Sequence, residues 1–444
     1  MDVVLFDRAL MGSSLAIHIL FVVLGLTLPL VIFFSEIAYI RTKNKQYIVL
    51  ARRLATAFIL FFAIGTASGT IVALELLFLW PEFMALVSQV AILPLVAESF
   101  VFFIEAIFLS IYIYFRPKLR HPYSGAATIL IVAIAGLLTA AFITSINAFM
   151  NTPVGFNIPA YLQSGTITGV NPLAVFSSPS ARLEIIHVIF TSYLAGSLML
   201  LAYFAYSTMR SRDPIARSYY RKAVTITFWI AAVAVPFVVL TGSLSITQLY
   251  LQQPEKYAAI EMNLVSQSHA AEVIGGIYTG NTLKDYVLIP NMQSILLFGS
   301  ANGTVPGLNQ YPKSTWPPLF IHLLFDTVVF IGFALGFFLL LVVLLMVFRK
   351  APLQNKLVLW LLVLCGFAAV IALESGWIMD EVGRQPWIIY NVMPVVSAAN
   401  LSPGILPAGI AILSFYVIVC PLSLLLLKHY FNKRPLSAEL RSGK

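Results

Sequence analysis

Charge is scarce in this chain. Of 444 residues only 10% are Asp, Glu, Lys or Arg, against 60% hydrophobic residues and a mean hydropathy of +0.91. Soluble domains carry about a quarter charged residues, so this composition excludes one and requires a membrane protein. Cysteine is almost absent: Cys365 and Cys420 both lie in apolar runs, which supports neither a disulfide framework nor a zinc site. The start, M-D-V-V-L-F-D-R, lacks the basic segment and small-residue cleavage site of a secretory leader, so the first apolar run is expected to be a retained helix. An inverted repeat of the kind that marks many transporters is not evident either.

What remains is long apolar runs. Spanning a hydrocarbon core takes roughly 20 helical residues, and nine segments are long enough, at about 13–40, 53–80, 91–115, 124–150, 183–208, 221–250, 318–348, 355–379 and 404–427. The expected fold class is therefore all-α, a polytopic bundle of nine transmembrane helices forming a single domain over 1–444. Only one extramembrane segment is long, 251–317, and it is rich in Gly, Pro, Asn and Gln. Loops of that length usually carry function.

Assigning alternate loops to opposite sides puts 21 of the 27 Lys and Arg on one side; Arg8, Arg182, Lys256, Lys284, Lys313 and Arg384 fall on the other. Basic loops stay in the cytoplasm, which predicts an external N-terminus and a cytoplasmic C-terminus. The net charge of +9 is mostly this bias; the surrounding partner is membrane lipid, and no nucleic acid is needed to explain it.

Against the oil, a few polar residues stand out. The stretch L-E-S-G-W-I-M-D-E-V-G-R-Q-P-W, Leu373 to Trp387, places Glu374 at the end of an apolar helix and Arg384 just beyond it. A charge at bilayer depth costs a few kcal/mol or more unless paired, so such residues are functional candidates. His18, His187 and His322 all lie near the outer ends of apolar helices, whereas His121, His269 and His429 fall in loops or at helix ends beside charged runs and read as solvated. Glu98 and Glu105 are seven apart, nearly two turns, which puts them on one face about 10 Å apart. A single such residue is often a helix-to-helix hydrogen bond; three histidines and two or three carboxylates at one level point to shared chemistry. Two chemistries fit: haem iron, which takes histidine as an axial ligand, and a metal-free proton or cation pathway.

Glu374 to Trp387, with G-R-Q-P-W intact, resembles the signature of the large subunit of cytochrome bd-type quinol oxidases. Further matches are His18 in the first helix, L-P-L-V-A-E-S-F-V-F-F-I-E from Leu93 to Glu105, N-A-F-M-N-T-P from Asn147 to Pro153, H-V-I-F-T-S-Y from His187 to Tyr193, and Q-P-E-K-Y-A-A-I-E from Gln253 to Glu261. The resemblance covers nearly the whole chain. It implies His18 and Glu374 as axial ligands of a di-haem oxygen site holding high-spin haem b and haem d, or a further haem b. Glu98 would lie beside that site as ligand or proton donor, with Glu105 on the proton route. His187 would ligate a low-spin haem b, Arg384 would pair with haem propionates, and Trp377 and Trp387 would pack on a macrocycle. Lys256 and Glu261, in the 251–317 loop, would sit at the quinol.

Three departures from the family accompany it. Where the seventh helix normally reads F-R-I-M-V, with methionine as the second ligand of the low-spin haem, this chain has Phe325, Asp326, Thr327, Val328 and Val329. His322, one turn earlier, is expected to substitute and form a bis-histidine site with His187. Glu98 and Glu105 are seven apart where the family usually has eight. Ala73 and Glu75 stand where the family tends to have a carboxylate followed two residues later by a glutamine. The function implied is a prokaryotic plasma-membrane enzyme that oxidises quinol outside and reduces O2 to water with cytoplasmic protons, beside a second membrane subunit or a paralogous copy. The alternatives are a non-catalytic haem-binding paralogue and a proton-coupled transporter.

Overall fold

The protein, described here as a computed structural model, is defined over residues 3–279, 282–402 and 404–442. Among these residues nine helices are long and apolar enough to cross a membrane. They are α1 (Val3–Thr42), α2 (Lys45–Leu79), α4 (Ile92–Phe115), α5 (Ser124–Asn151), α7 (Ala181–Arg210), α8 (Pro214–Gln252), α11 (Ile321–Val347), α12 (Lys356–Gly383) and α14 (Ile405–Lys433). Short elements fill the connections: α3 (Pro81–Val90), α6 (Ile158–Ser164), α9 (Pro254–Ile260), the strands β1 (Glu272–Thr279) and β2 (Thr282–Ile289), α10 (Met292–Phe298), the strands β3 (Trp387–Ile389) and β4 (Met393–Pro394), α13 (Val395–Ala398) and, last, α15 (Leu436–Ser442).

All nine expected spans are present, and several run past their apolar windows. Hydropathy drops at a charged residue, but a helix continues while its backbone hydrogen bonds do. Thus α1 already starts at Val3 and buries Asp7 and Leu10 in its first turns. The turns between spans are tight at the end where the basic residues gather. There Asn44, Asp213 and Asn355 each cap the following helix by accepting from the backbone N–H two residues on, as short polar N-cap residues do.

The bundle centre is where α1, α5, α7 and α12 meet, with α8 lying along α7 and α2 along α1. Between apolar helices in lipid, attraction comes from close packing, and small residues allow it. Gly196 of α7 sits against Thr27 and the Val23 carbonyl of α1, and Gly366 of α12 against the Leu198 carbonyl of α7; a Cβ at either would fall within 3 Å of those atoms. The outer helices turn apolar side chains away from the bundle: Phe100 and Phe103 on α4, Phe330, Phe333 and Phe337 on α11, Val417 and Ile418 on α14.

The long 251–317 segment, expected as loop, is largely built structure. β1 and β2 form an antiparallel hairpin in register from Glu272↔Ile289 to Thr279↔Thr282, and α9 and α10 flank it. Neither E-V-I-G-G-I-Y-T nor T-L-K-D-Y-V-L-I alternates apolar and polar residues, so the period-two signal of a strand is missing from the sequence. The segment lies at the end of the bundle opposite the basic turns, called here the loop end.

Candidate functional site

His18 faces α2. Its Nδ1 is 2.9 Å from the Ser68 hydroxyl, and Gly69 lies against the ring so closely that an added Cβ would come within 3.0 Å of Cε1. Nε2 has no protein partner. One turn above His18 on α1, the Ser14 hydroxyl donates to Glu75 Oε1 at 2.7 Å, and Oε2 of this buried carboxylate has no partner. Glu75, the displaced acid of α2, therefore faces the same side as His18. On α12 both carboxylate oxygens of Glu374 are buried and unpartnered.

The α4 pair behaves as the seven-residue spacing predicts. The helix is regular from Ile92 to Phe115, so no bulge intervenes and both carboxylates share a face. Glu105 is buried beside Gly136 of α5 and Glu98 is half-buried. Further along α4, at the basic end, Tyr112 and Arg116 close on the fully buried Glu36 of α1: the guanidinium donates to both oxygens at 2.8 Å and the phenol donates at 2.8 Å.

His187 repeats the pattern of His18. Nδ1 is 2.8 Å from the Thr241 hydroxyl of α8, Gly242 leaves the space beside its ring, and Nε2 is free. The Phe190 and Phe237 rings stack at 4.3 Å in the same α7–α8 seam. A ligating histidine usually has its other nitrogen fixed by a hydrogen bond, which sets its tautomer and orientation. Both histidines are held that way.

His322 is not. Nδ1 lies 2.6 Å from the Ile260 carbonyl and Nε2 lies 2.8 Å from the Gly275 carbonyl, with Asp326 Oδ2 at 3.6 Å from Nε2. Both ring nitrogens thus face backbone carbonyls at hydrogen-bond distance, and neither stands open as Nε2 of His18 and His187 does. His322 thus ties α11 to α9 and β1, a setting unlike that of His187, with which it was expected to form a bis-histidine site.

Arg384 also has a different setting from the one expected. It is 2% exposed and donates to Glu381 at 2.5 Å, Asn147 at 3.0 Å and Asn151 at 3.1 Å. Its charge is balanced within the chain, chiefly by Glu381. Asn151 also donates to Glu184, and Asn147 to Asp380 and Glu381. Lys256 enters this knot from α9: its Nζ donates to Asp380 Oδ1 at 2.5 Å and to the Asp380 carbonyl at 2.9 Å, and its stem packs on Gly383, where a Cβ would clash. The lysine is thus a strut between the loop and α12. Trp377 packs on the main core, whereas the buried Trp387 Nε1 has no partner.

Glu261, at the end of α9, is 5% exposed and its Oε2 is unpartnered. Burial, then the neighbouring Glu272 and Asp326, hold its carboxyl well above the usual carboxylate range. Burial raises Glu272 as well, against a hydrogen bond from Glu261 that lowers it. The residues that sequence reasoning missed are the holders: Ser68, Thr241, Asp380, Glu184 and Glu272. Asn147 and Asn151 carried a signal, two amides one turn apart in an apolar helix.

The donor set suits iron carried in a macrocycle. Among the described residues no three His, Cys, Asp or Glu side chains converge as a bare ion needs; free ring nitrogens and orphaned carboxylate oxygens occur singly, which is what a porphyrin iron asks of its protein. Comparison with known proteins agrees. Residues 6–435 match the family Cytochrome bd terminal oxidase subunit I, and the chain belongs to it, as a multi-pass plasma-membrane protein. Its full length is 33% identical to the full length of a Bacillus subtilis (strain 168) protein named "Putative cytochrome bd menaquinol oxidase subunit I". A second protein of that strain, cytochrome bd ubiquinol oxidase subunit 1, is 24% identical over 97% of this chain and 93% of its own. In the solved bd oxidase from Geobacillus thermodenitrificans, one chain superposes with a TM-score of 0.90 and 35% identity, over 98% of this chain and 99% of that one.

Proposed function

We propose that this chain is the haem-bearing subunit of a quinol:O2 oxidoreductase, with its loop end outside the cell and its basic end in the cytoplasm. The observation that carries this reading is the matched pair His18 and His187, each with Nδ1 held by a hydroxyl and Nε2 free, together with the two unpartnered oxygens of Glu374. His18 and Glu374 would hold the irons of a di-haem oxygen site, with Glu98 beside it, and His187 a low-spin haem b. Bound there, haem supplies one-electron transfer and reduction of O2; haem d or a further haem b both suit a site with these ligands. Val328 stands where the family has methionine, and a valine side chain would offer iron no ligand.

The chain's own part is protons and position. Glu261 takes a proton from the quinol oxygen, since Oε2 is free to accept it; Lys256 holds α9 on α12 through Asp380. Glu105 and Glu98 pass cytoplasmic protons along one face of α4 toward Glu374. Releasing quinol protons outside while consuming protons from inside separates charge without a pump. The outward apolar faces of α4, α11 and α14 suit lipid and a second membrane subunit, or a paralogous copy.

Purified complex should show haem bands in a dithionite-reduced minus oxidised spectrum, quinol-dependent O2 uptake, and two haem types or one by mass spectrometry of the extracted pigment. No haem bands would end the oxidase reading and revive a proton-coupled transporter. Haem without O2 uptake, with the partner subunit present, would establish the second reading, a non-catalytic haem-binding paralogue, which the lost methionine favours.

A further inference from the structure

The corner formed by α9, α11 and the hairpin contains more than a quinol-facing acid needs. Glu261 is buried, but Glu272, to which it is hydrogen-bonded, is only half-buried at the start of β1. Two carboxyl groups make such a bond only with a proton between them. The two backbone segments that carry them are fixed to each other through α11. The Gly275 peptide is gripped at both ends, its N–H donating to Asp326 Oδ2 at 2.6 Å and its carbonyl accepting from His322 Nε2 at 2.8 Å. The other nitrogen of His322 takes the Ile260 carbonyl, one residue before Glu261. Gly275 and Gly276 have φ of +69° and +101°, conformations that only glycine adopts without strain, and they curl the strand so that this peptide reaches α11. The ionisable groups facing Glu261 are Tyr257 from α9, Glu272 from β1, and His322 and Asp326 from α11; Lys256 points away, to Asp380.

We propose that Glu261 and Glu272 form a two-carboxyl outlet that carries the quinol's protons to the outer surface, with His322 and Asp326 as positioning residues that hold the outlet together. This rests on the quinol reading above. The quinol O–H bond breaks as an O–H bond forms at Glu261 Oε2. The proton already shared by the two carboxyls then moves fully to Glu272, which releases it to water, and the pair is left sharing one proton again. The two electrons go to O2, the oxidant of the proposed reaction, and the second proton repeats the path. A buried acid without such a relay would accept one proton and have nowhere to pass it.

Glu272→Gln keeps a hydrogen-bonding group at the site but cannot take up and release a proton. In the complete complex it should lower kcat with quinol about tenfold or more, within the range of lost proton-transfer catalysis, while KM and the haem spectrum stay as in the wild type. The pH profile of kcat should change shape, and Glu272→Asp should restore most of kcat, with its pH profile displaced from that of the wild type. A Glu272→Gln complex with wild-type kcat across the pH range would overturn the outlet. If that variant loses its haem bands, Glu272→Asp decides: an unaltered kcat–pH profile overturns the proposal and a displaced one upholds it. Wild-type complex that fails to oxidise quinol at all would instead refute the quinol reading itself.

Discussion

His187 and His322 occupy similar places in the sequence and opposite places in the chemistry. Each directly follows apolar residues near the loop end of a membrane helix, I-I-H and L-F-I-H. In the α7–α8 seam one nitrogen meets a hydroxyl, which can donate or accept, and the other stays open. At the α11 corner both nitrogens meet carbonyls, which only accept. The difference teaches that a membrane histidine is a ligand or a fastener according to what faces its two nitrogens, and that neither its depth nor its apolar neighbours decide.

The sharpest test sets the two against each other. His187→Ala should abolish the low-spin haem band in the reduced minus oxidised spectrum, while His322→Ala should keep it and lose roughly 2–4 kcal/mol of stability through two orphaned carbonyls; loss of the band in His322→Ala would collapse the distinction. Thr241→Val removes the hydroxyl that fixes His187, and such supporting changes cost about 10–100-fold in metal affinity, readable as haem loss during dilution. Gly276→Ala forces a side chain into a φ of +101° and against Leu283; a destabilisation of about 1–3 kcal/mol, confined to the hairpin, should appear as faster proteolysis between β1 and β2 with the haem spectrum intact.

The smallest effect is a pH dependence. Burial holds the Glu261 carboxyl well above its ordinary value, so the folded state keeps a proton that the unfolded chain gives up near pH 4.3. Its contribution to stability is therefore complete below that pH and declines as pH rises toward the raised value. Glu261→Gln should flatten the fall of the melting temperature across that window, and an unchanged slope would mean that Glu261 ionises as an exposed acid does.

Most of the fold was legible because a membrane imposes long apolar runs and one-sided basic turns. The nine spans follow from hydropathy, and the ends that were misjudged, such as α1 starting at Val3, lie where helices continue through charged residues. His18, His187 and Glu374 were readable as polar residues in oil within a known motif. What sequence could not supply was pairing. Nothing in the order of residues says that Lys256 would spend its charge on Asp380, 124 positions away, or that Arg384 would pair with its neighbour Glu381 and donate to two asparagines. The lost methionine invited a substitute ligand one turn away, but backbone carbonyls from the loop had already claimed that histidine.

The packing of α14 bears on how the protein is made. This helix is the last membrane-crossing one among the described residues, and it rests on the first two: Gly409 lies against Phe6 and Leu10 of α1, and the Tyr416 hydroxyl reaches the Ser68 carbonyl of α2 at 3.4 Å. Ser68 is the residue that steadies His18. In chain order α14 follows every other described span, so this flank of the α1–α2 pair is covered only after all the residues proposed to hold iron have been made. A chain arrested before α14 would carry all of its proposed iron ligands, with the Ser68 hydroxyl still facing His18 but without the helix that packs behind that serine.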